Sequence, residues 1–216
     1  NPHRRKFQHI LLPLASAKTT GDNFLKSIIV DHLGIIWLGT YDQGIATLDR
    51  RTGVVRRFAH RPPQTTSYPR NSVFALLEDR DGGIWTGTSG GLERYDRSTD
   101  SFRYYEMPNV PLREARGRII THLHEDSSGT IWIGSGTQLA RLDPTRMKMI
   151  TVLPIVREKG SSIPAHIQCV LPIDPENVWV GILGSGLLKI DVDGKIKRAF
   201  KHDPSNPNSP SNDFVK

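Results

Sequence analysis

The sequence predicts an all-β protein, and three observations lead to that class. Tryptophan recurs with spacings of 48, 47 and 47 residues, at Trp37, Trp85, Trp132 and Trp179. An aspartate closes each repeat with spacings of 47, 47 and 48 residues, at Asp49, Asp96, Asp143 and Asp191. Each repeat also holds four short β-type runs between turn residues. A period of about 40–50 residues with four strands is typical of a propeller blade, so the sequence predicts a β-propeller segment of about four four-stranded antiparallel blades, part of a larger propeller.

The second repeat shows how one blade is assigned. Its predicted strands are Ser72–Glu78, Gly83–Thr88, Leu92–Tyr95 and Ser101–Glu106. The first strand and its relatives in the other repeats are apolar on both faces, and such a strand needs cover from both sides. Packing between neighbouring blades provides that cover.

The period divides the chain into whole and partial blades. Complete blades are predicted at residues 23–60, 71–107, 118–154 and 166–202. Residues 1–14 resemble the outer strand of a preceding blade, and residues 211–216 the start of a next one. The chain therefore begins and ends inside repeats. An open arc of this kind exposes two blade faces, so we expect self-association through those faces or continuation into further propeller repeats.

The turns and the tryptophans have a structural interpretation. Asp79–Gly82 and Asp126–Gly129 place side-chain acceptors, and then a glycine, where a tight turn requires a positive φ angle. A glycine follows each tryptophan by two residues and permits close approach of a neighbouring chain, at Gly39, Gly87, Gly134 and Gly181. Each indole is interpreted as the packing anchor of its blade. The recurring aspartates are assigned to turns rather than to acid–base catalysis.

Composition excludes several classes of protein. The single cysteine, Cys169, excludes an intrachain disulfide framework and a four-cysteine zinc site. The formal net charge of +7 comes from short basic clusters spread along the chain, which favours a solvated basic surface over nucleic-acid binding. No apolar run approaches the roughly 18 residues of a membrane span. Because Asn1 replaces an initiator methionine, we expect a segment of a longer protein, in which any membrane contact is made by other parts.

Two histidines are candidates for chemistry beyond packing. His122 and His124 alternate along one strand face, the spacing that can bring two imidazoles to one metal ion. No third ligand is evident, so hydrogen-bonded structural histidines are the preferred interpretation and no metal site is assigned. The sequence contains no nucleophile elbow, phosphate-binding loop or dinucleotide fingerprint, so no cofactor and no catalytic residue are predicted.

The repeat resembles a known family. Residues 73–96 follow the pattern V-x-x-L-x-E-D-x-x-G-x-I-W-x-G-T-x-x-G-L-x-x-x-D, which is similar to the two-component regulator propeller repeat. The connection from His202 to Ser209 is also similar to the one usual in that family. The fourth repeat departs from the pattern, with Asp174–Asn177 in place of the glycine turn and Ile182 in place of threonine. The resemblance implies the periplasmic sensor region of a membrane-bound, often hybrid, histidine kinase.

The position of any ligand follows from blade geometry. The first-to-second and third-to-fourth strand turns share one face of the disc and are nearly uniform between repeats. The opposite face carries the divergent loops, where binding usually resides. If the signal is an oligosaccharide or another periplasmic ligand, the aromatic and planar hydrogen-bonding side chains of this divergent face are the candidates: Tyr41, Tyr68, Arg70, Arg113, Arg116 and Gln138.

Two alternatives to a sensor remain open. The same blades can form a passive protein-interaction scaffold without a small-molecule ligand, or a propeller lyase or glycosidase. Glycan screening separates them from a sensor, because only the sensor hypothesis predicts binding without turnover.

Overall fold

A computed structural model describes residues 24–58, 71–110, 118–136, 138–143, 145, 147–154, 166–213 and 215 of the 216-residue chain. Strands and turns account for the regular structure in these ranges. None of these residues belongs to a helix with the length and apolarity that crossing a bilayer requires.

Sixteen strands form four antiparallel sheets of four strands each, with consecutive strands paired in every sheet. Blade 1 contains β1 (Leu25–Val30), β2 (Ile35–Thr40), β3 (Ile45–Asp49) and β4 (Val55–Phe58). Blade 2 contains β5 (Val73–Glu78), β6 (Ile84–Thr88), β7 (Leu92–Asp96) and β8 (Ser101–Tyr105). Blade 3 contains β9 (Ile120–Glu125), β10 (Ile131–Ser135), β11 (Gln138–Asp143) and β12 (Lys148–Pro154). Blade 4 contains β13 (Ile167–Asp174), β14 (Asn177–Ile182), β15 (Gly186–Asp191) and β16 (Ile196–Phe200).

The blades stack radially through their first strands. Strand β1 packs against β5, β5 against β9, and β9 against β13, whereas no comparable packing joins β13 back to β1 in the described part of the chain. The predicted all-β propeller of four-stranded blades is thus confirmed, and the described blades form an arc. Each sheet lies inside the residue range predicted for its blade. Residues 1–14, the predicted strand of a preceding blade, lie outside the described residues.

The first turn of a blade explains the paired aspartate and tryptophan. In blade 3, Asp126 Oδ1 accepts hydrogen bonds from the backbone N–H groups of Ser128 and Thr130 at 2.9 and 3.0 Å. Its Oδ2 accepts the indole N–H of Trp132 at 2.8 Å. Asp31 and Asp79 bind their own turns and indoles in the same way. The carboxylate therefore satisfies the turn and the buried indole together, and the predicted positive φ at Gly82 and Gly129 is present, at 79° and 88°.

The glycine two residues after each tryptophan contacts the next blade. A Cβ atom placed on Gly87 would lie 2.6 Å from Ile120 Cγ2 and 3.0 Å from Ile120 O, at the start of β9. Gly39 faces Val73 and Gly134 faces Ile167 in the same way. We call this space the glycine notch of a blade. The predicted close approach is therefore made by the first residue of the following inner strand.

Blade 4 differs from the other three at the turn and at the indole. Trp37, Trp85 and Trp132 are 2%, 0% and 1% exposed, as a packing anchor should be. Trp179 is only partly buried, because its side of the sheet has no blade packed against it in the described residues. Asp174 accepts hydrogen bonds from the Asn177 side chain at 2.8 Å instead of from the indole. The interpretation of Trp179 as a packing anchor stays a prediction.

Candidate ligand-binding face

The divergent loops lie together on one side of the arc, which we call the loop face. It carries the second-to-third strand turns and the described parts of the connections between blades, such as residues 106–110 and 201–213. Backbone hydrogen bonds join these turns to the starts of inner strands: Gly44 N donates to Asn71 O at 2.9 Å, and Ser89 N donates to Ser72 O at 3.0 Å. The loop face is thereby held on a rigid base, which suits a binding surface.

Four of the six predicted ligand residues, Tyr68, Arg70, Arg113 and Arg116, lie outside the described residues. Tyr41 is on the loop face, half-buried, with Lys26 Nζ 5.4 Å from its ring centroid. Ser72 Oγ donates to the backbone carbonyl of Tyr41. The backbone of Tyr41 is therefore bound to the start of blade 2, and the role of its ring as a ligand contact stays a prediction.

Gln138 is engaged inside the protein. Gln138 is only 4% exposed, and its side-chain Nε2 donates to Pro108 O at 2.8 Å. Thr151 Oγ1 donates to Gln138 Oε1 at 2.5 Å. The amide thus links Pro108, in the connection after blade 2, to Thr151 in blade 3. Gln138 therefore holds this part of the loop face in place and does not present a free amide to solvent.

The two histidines of β9 pack toward blade 4. His122 Nε2 lies 3.2 Å from the carbonyl oxygen of Val170 in β13. Burial lowers the pKa of His122 below its ordinary value, the hydrogen bond to Val170 works against that change, and the charge of His124 lowers the pKa further. No cluster of three metal-ligating side chains is found among the residues that the structure describes.

A buried arginine that the sequence did not single out lies at the base of the loop face. Arg118, two residues before β9, is 2% exposed, yet its Nε and Nη2 atoms have no hydrogen-bond partner among the residues that the structure describes. The acidic side chain of Glu106 lies near it, with Nη2 and Oε1 3.8 Å apart, and the Glu106 side chain is 68% exposed. A buried guanidinium with unused donors costs free energy unless an acceptor reaches it.

Tyr104 and Glu93 share this environment. Burial raises the pKa of Tyr104; the Arg118 charge lowers it, and the charges of Glu106 and Glu93 raise it. The Tyr104 hydroxyl donates to Gly90 O at 3.2 Å, in the second-to-third strand turn of blade 2. The four side chains therefore form one polar cluster at the junction of blades 2 and 3, which we call the Arg118 cluster. The sequence did not reveal the Arg118 cluster, because Arg118 belongs to one of the short basic clusters that were interpreted as a solvated surface.

A cavity of about 630 Å³ adjoins this cluster, formed by the segment from Glu106 to Val110. Asn109 within it has a left-handed φ of 58°, a conformation that asparagine tolerates better than most residues. The Asn109 amide lies 3.4 Å from Thr151 Oγ1. The cavity wall is thus attached to blade 3 through both Asn109 and Gln138.

Two further clefts, of about 350 and 290 Å³, lie at the outer parts of the blades. The described lining of the first comes from blade 2, and that of the second from blades 1 and 2. The first includes Arg94 and Arg103 beside Trp85, and the second includes Thr47 and Arg56 beside Trp37. Because the two occupy equivalent positions in consecutive repeats, they are features of blade stacking. The Arg118 cluster, in contrast, belongs to one junction.

The fold is that of a four-blade β-propeller segment whose divergent loops lie on one face. The family model described as "two component regulator propeller" matches residues 67–90 and 116–137. Two segments of the chain are therefore similar to the repeat of that family, in agreement with the resemblance predicted from the sequence pattern. A search of curated proteins gave no match.

Solved structures support the same fold at low identity. The extracellular domain of BT4673 from B. thetaiotaomicron, described as a hybrid two component system, superposes with a TM-score of 0.72 and 19% identity over 93% of this chain and 25% of that one. Virginiamycin B lyase from Staphylococcus aureus gives 0.62 and 18% over 87% and 58%. PorZ, a surface component of the type-IX secretion system of Porphyromonas gingivalis, gives 0.60 and 20% over 88% and 30%.

The present chain spans about a quarter of the BT4673 domain. At these identities the likeness concerns the propeller fold. The likeness is no evidence for lyase activity or for a role in secretion in this chain.

Proposed function

We propose that this chain is part of the extracytoplasmic, periplasmic sensor region of a two-component histidine kinase, and that it recognises an oligosaccharide on its loop face. The matched repeats belong to a regulator propeller family, and a structural neighbour is the extracellular domain of a hybrid two component system. In this proposal the segment itself is not an enzyme. The kinase and the membrane span belong to other parts of the full-length protein.

The Arg118 cluster is the observation that supports ligand recognition most directly. Nε and Nη2 of the Arg118 guanidinium have no hydrogen-bond partner among the described residues, and the Glu106 carboxylate beside them is mostly exposed. A planar guanidinium suits paired acceptors such as vicinal sugar hydroxyls or a carboxylate. Tyr104 adds an aromatic face, and sugar rings stack on such faces through their apolar C–H edges. The adjoining cavity of about 630 Å³ is wide open to solvent, so that a ligand can enter it beside this cluster.

Calorimetric titration of the chain with neutral and acidic oligosaccharides tests the proposal. We expect at least one glycan to bind. We also expect Arg118→Gln to weaken its binding by about 10- to 100-fold, since a lost charged hydrogen bond costs roughly 1.5–3 kcal/mol. The matched control is Arg103→Gln, which removes an arginine from the outer cleft and should leave binding unchanged.

Because Arg118 is buried, thermal unfolding must first show that Arg118→Gln is folded. Glu106→Gln supplies a second variant at an exposed side chain, and it should favour acidic over neutral glycans by removing a competing charge. Absence of binding by every glycan, together with specific binding of a periplasmic protein, would instead support the scaffold hypothesis. Glycan binding that neither variant alters would place the site elsewhere on the loop face.

A further inference from the structure

The tryptophan row of a blade consists of its tryptophan and the residues paired directly across from it on the two outer strands. Arg56 belongs to this row in blade 1 and forms an ion pair with Asp100, in the third-to-fourth strand turn of blade 2. Arg141 belongs to the row of blade 3, and its Nη2 lies 3.6 Å from Oδ1 of Asp193, in the corresponding turn of blade 4. In these two junctions an arginine of one blade therefore meets an aspartate of the next.

The tryptophan row of blade 2 contains two arginines on the side of blade 3. Arg94 lies opposite Trp85, and Arg103 lies opposite Arg94. Their guanidinium carbons are 5.3 Å from the Trp85 ring centroid and 5.5 Å from the Tyr105 ring centroid, respectively. Both arginines line the outer cleft of about 350 Å³. Because like charges directly opposite each other on two strands are destabilising, this pair favours an anion beside it.

Blade 3 does not place an aspartate at either of the positions that serve the other junctions. Met147 holds the position of Asp100: each lies four residues after the aspartate that closes its repeat, and their φ angles are 49° and 52°. Thr145 holds the position of Asp193, and its backbone N–H and hydroxyl both donate to Asp143. The junction between blades 2 and 3 therefore has the arginines without the acidic side chain.

The two arginines keep donors for an added acceptor. Arg94 Nε is buried and has no hydrogen-bond partner among the described residues. Arg94 Nη2 lies 3.4 Å from Oδ2 of Asp79, and that oxygen already accepts the indole N–H of Trp85 at 2.7 Å. Arg103 is exposed and forms no ion pair within the described part of the chain. Guanidinium donors in this arrangement suit the planar oxygen pair of a carboxylate.

The other charged residues of the cleft leave these donors in place. Asp96 Oδ1 accepts the backbone N–H and the hydroxyl of Ser98, in its own turn. Arg97, the third arginine of the lining, pairs with Asp31 of blade 1 at 2.9 Å. Asp81 also lines the cleft and is exposed, so that its charge competes with that of a bound anion.

We propose that the cleft beside Arg94 and Arg103 is a binding site for a carboxylate group, supplied by a small organic acid or by an acidic side chain of a polypeptide. The bound carboxylate takes the place that an aspartate of the next blade occupies in the neighbouring junctions. The site lies at the outer edge of blade 2 and does not depend on the proposed glycan recognition. Neutral glycans offer no carboxylate to this cleft, so the two sites are tested separately.

Titration of the isotope-labelled chain, followed by NMR at constant ionic strength, tests the site. The two probes are glutarate and a capped peptide that copies residues 96–101, the acidic turn of blade 2. We expect saturable shifts of the Nε–H signals of Arg94 and Arg103 and of the Trp85 indole signal. Tighter binding of the peptide assigns the carboxylate to a polypeptide, whereas equal or tighter binding of glutarate assigns it to a small acid.

Substitutions on both sides of the cleft make the test specific. Arg103→Gln should weaken the binding of either probe by about 5-fold, the upper range for one exposed ion pair. Met147→Asp should abolish binding, because its own carboxylate then fills the site. The matched control is Met147→Asn, which also tolerates a left-handed φ but adds no charge, and it should bind both probes as the unchanged chain does. Asp81→Asn should tighten binding by removing the competing charge.

Two results would overturn the proposal. The first is the absence of saturable shifts with both probes. The second is binding that neither Arg103→Gln nor Met147→Asp alters, since it would place the anion elsewhere on the basic surface. Both side chains are at least partly exposed, and an unchanged dispersion of the remaining NMR signals shows that each variant is folded.

Discussion

At the residue scale, one carboxylate serves two purposes in each of the first three blades. Asp31, Asp79 and Asp126 accept backbone N–H groups of their turn with one oxygen and the indole of their blade with the other. Burial alone raises the pKa of Asp126, but the hydrogen bonds from Ser128, Trp132 and Thr130 together lower it below its ordinary value. The ionised form is therefore the one that the fold stabilises.

The first prediction compares Asp126→Ala with Asp174→Ala. Loss of Asp126 leaves a buried indole N–H and two turn amides without an acceptor, which should cost about 2–4 kcal/mol of unfolding free energy. Asp174 accepts only exposed turn groups, so its loss should cost about 1 kcal/mol or less. Urea unfolding measures both. Equal losses would show that the indole bond adds nothing.

The second prediction concerns His122. Its pKa is lowered in the folded chain, so the unfolded chain binds more protons as the pH falls through the ordinary histidine value of about 6.5. The stability is fully present above that pH and declines below it. His122→Gln should flatten the decline in unfolding free energy between about pH 7 and pH 5. An unchanged pH slope in this variant would contradict a buried neutral imidazole.

At the element scale, the blades are joined by contacts that recur with the repeat. Besides the glycine notch, a glutamate at the end of an inner strand accepts the turn amide of the preceding blade: His32 N donates to Glu78 at 2.9 Å and Arg80 N donates to Glu125 at 2.8 Å. Val30 and Ile173 hold this position in blades 1 and 4. The glutamate–aspartate pair of the repeat thus combines a contact between blades with a contact inside the blade.

The third prediction tests the notch between blades 2 and 3. Gly87→Ala places a methyl group against Ile120 Cγ2 and its carbonyl oxygen, and such overpacking should cost about 1–3 kcal/mol. Ile120→Ala removes the opposing methyl group. In a double-mutant cycle by urea unfolding, the two changes together should cost less than the sum of the single changes. Strict additivity would show that the two residues do not share the notch.

Patterns in the sequence predicted the strands and turns well, but they predicted poorly which residues contact one another. The tryptophan and aspartate periods predicted the four blades, and the strands of blade 2 begin and end within one residue of the prediction. The same patterns assigned Gln138 to ligand contact, whereas its amide lies buried between Pro108 and Thr151. The exposure of a side chain depends on which loop packs against which blade. This packing cannot be read from the residues next to it in the sequence.

At the scale of the whole molecule, the described blades form an arc with two unequal ends. On the blade 1 side, Ile28 and Val30 are 62% and 54% exposed, although Leu76 and Leu123, at the position of Ile28, are 9% and 8% exposed. On the blade 4 side, Leu171 is 52% exposed and Trp179 is only partly buried. In a repeat protein each blade gains stability from its neighbours, so the two ends are stabilised less than the middle.

The fourth prediction follows from this gradient. Amide hydrogen exchange should be slowest in the central strands of blades 2 and 3 and faster in β1, β13 and β16, because local opening is easier where fewer apolar contacts must be broken. Uniform exchange across all four blades would instead indicate one cooperative unit.

The sequence by itself determined the blade, since strand alternation, turn chemistry and the recurring indole are local properties that each repeat encodes in full. Only the tertiary structure decided which indoles are dry, where a buried guanidinium lacks an acceptor among the described residues, and that Val215 enters the notch of blade 4. These properties depend on contacts between different blades, whose residues lie more than thirty positions apart in the notches and more than forty apart in the glutamate bonds. Such contacts exist only once neighbouring blades have packed together.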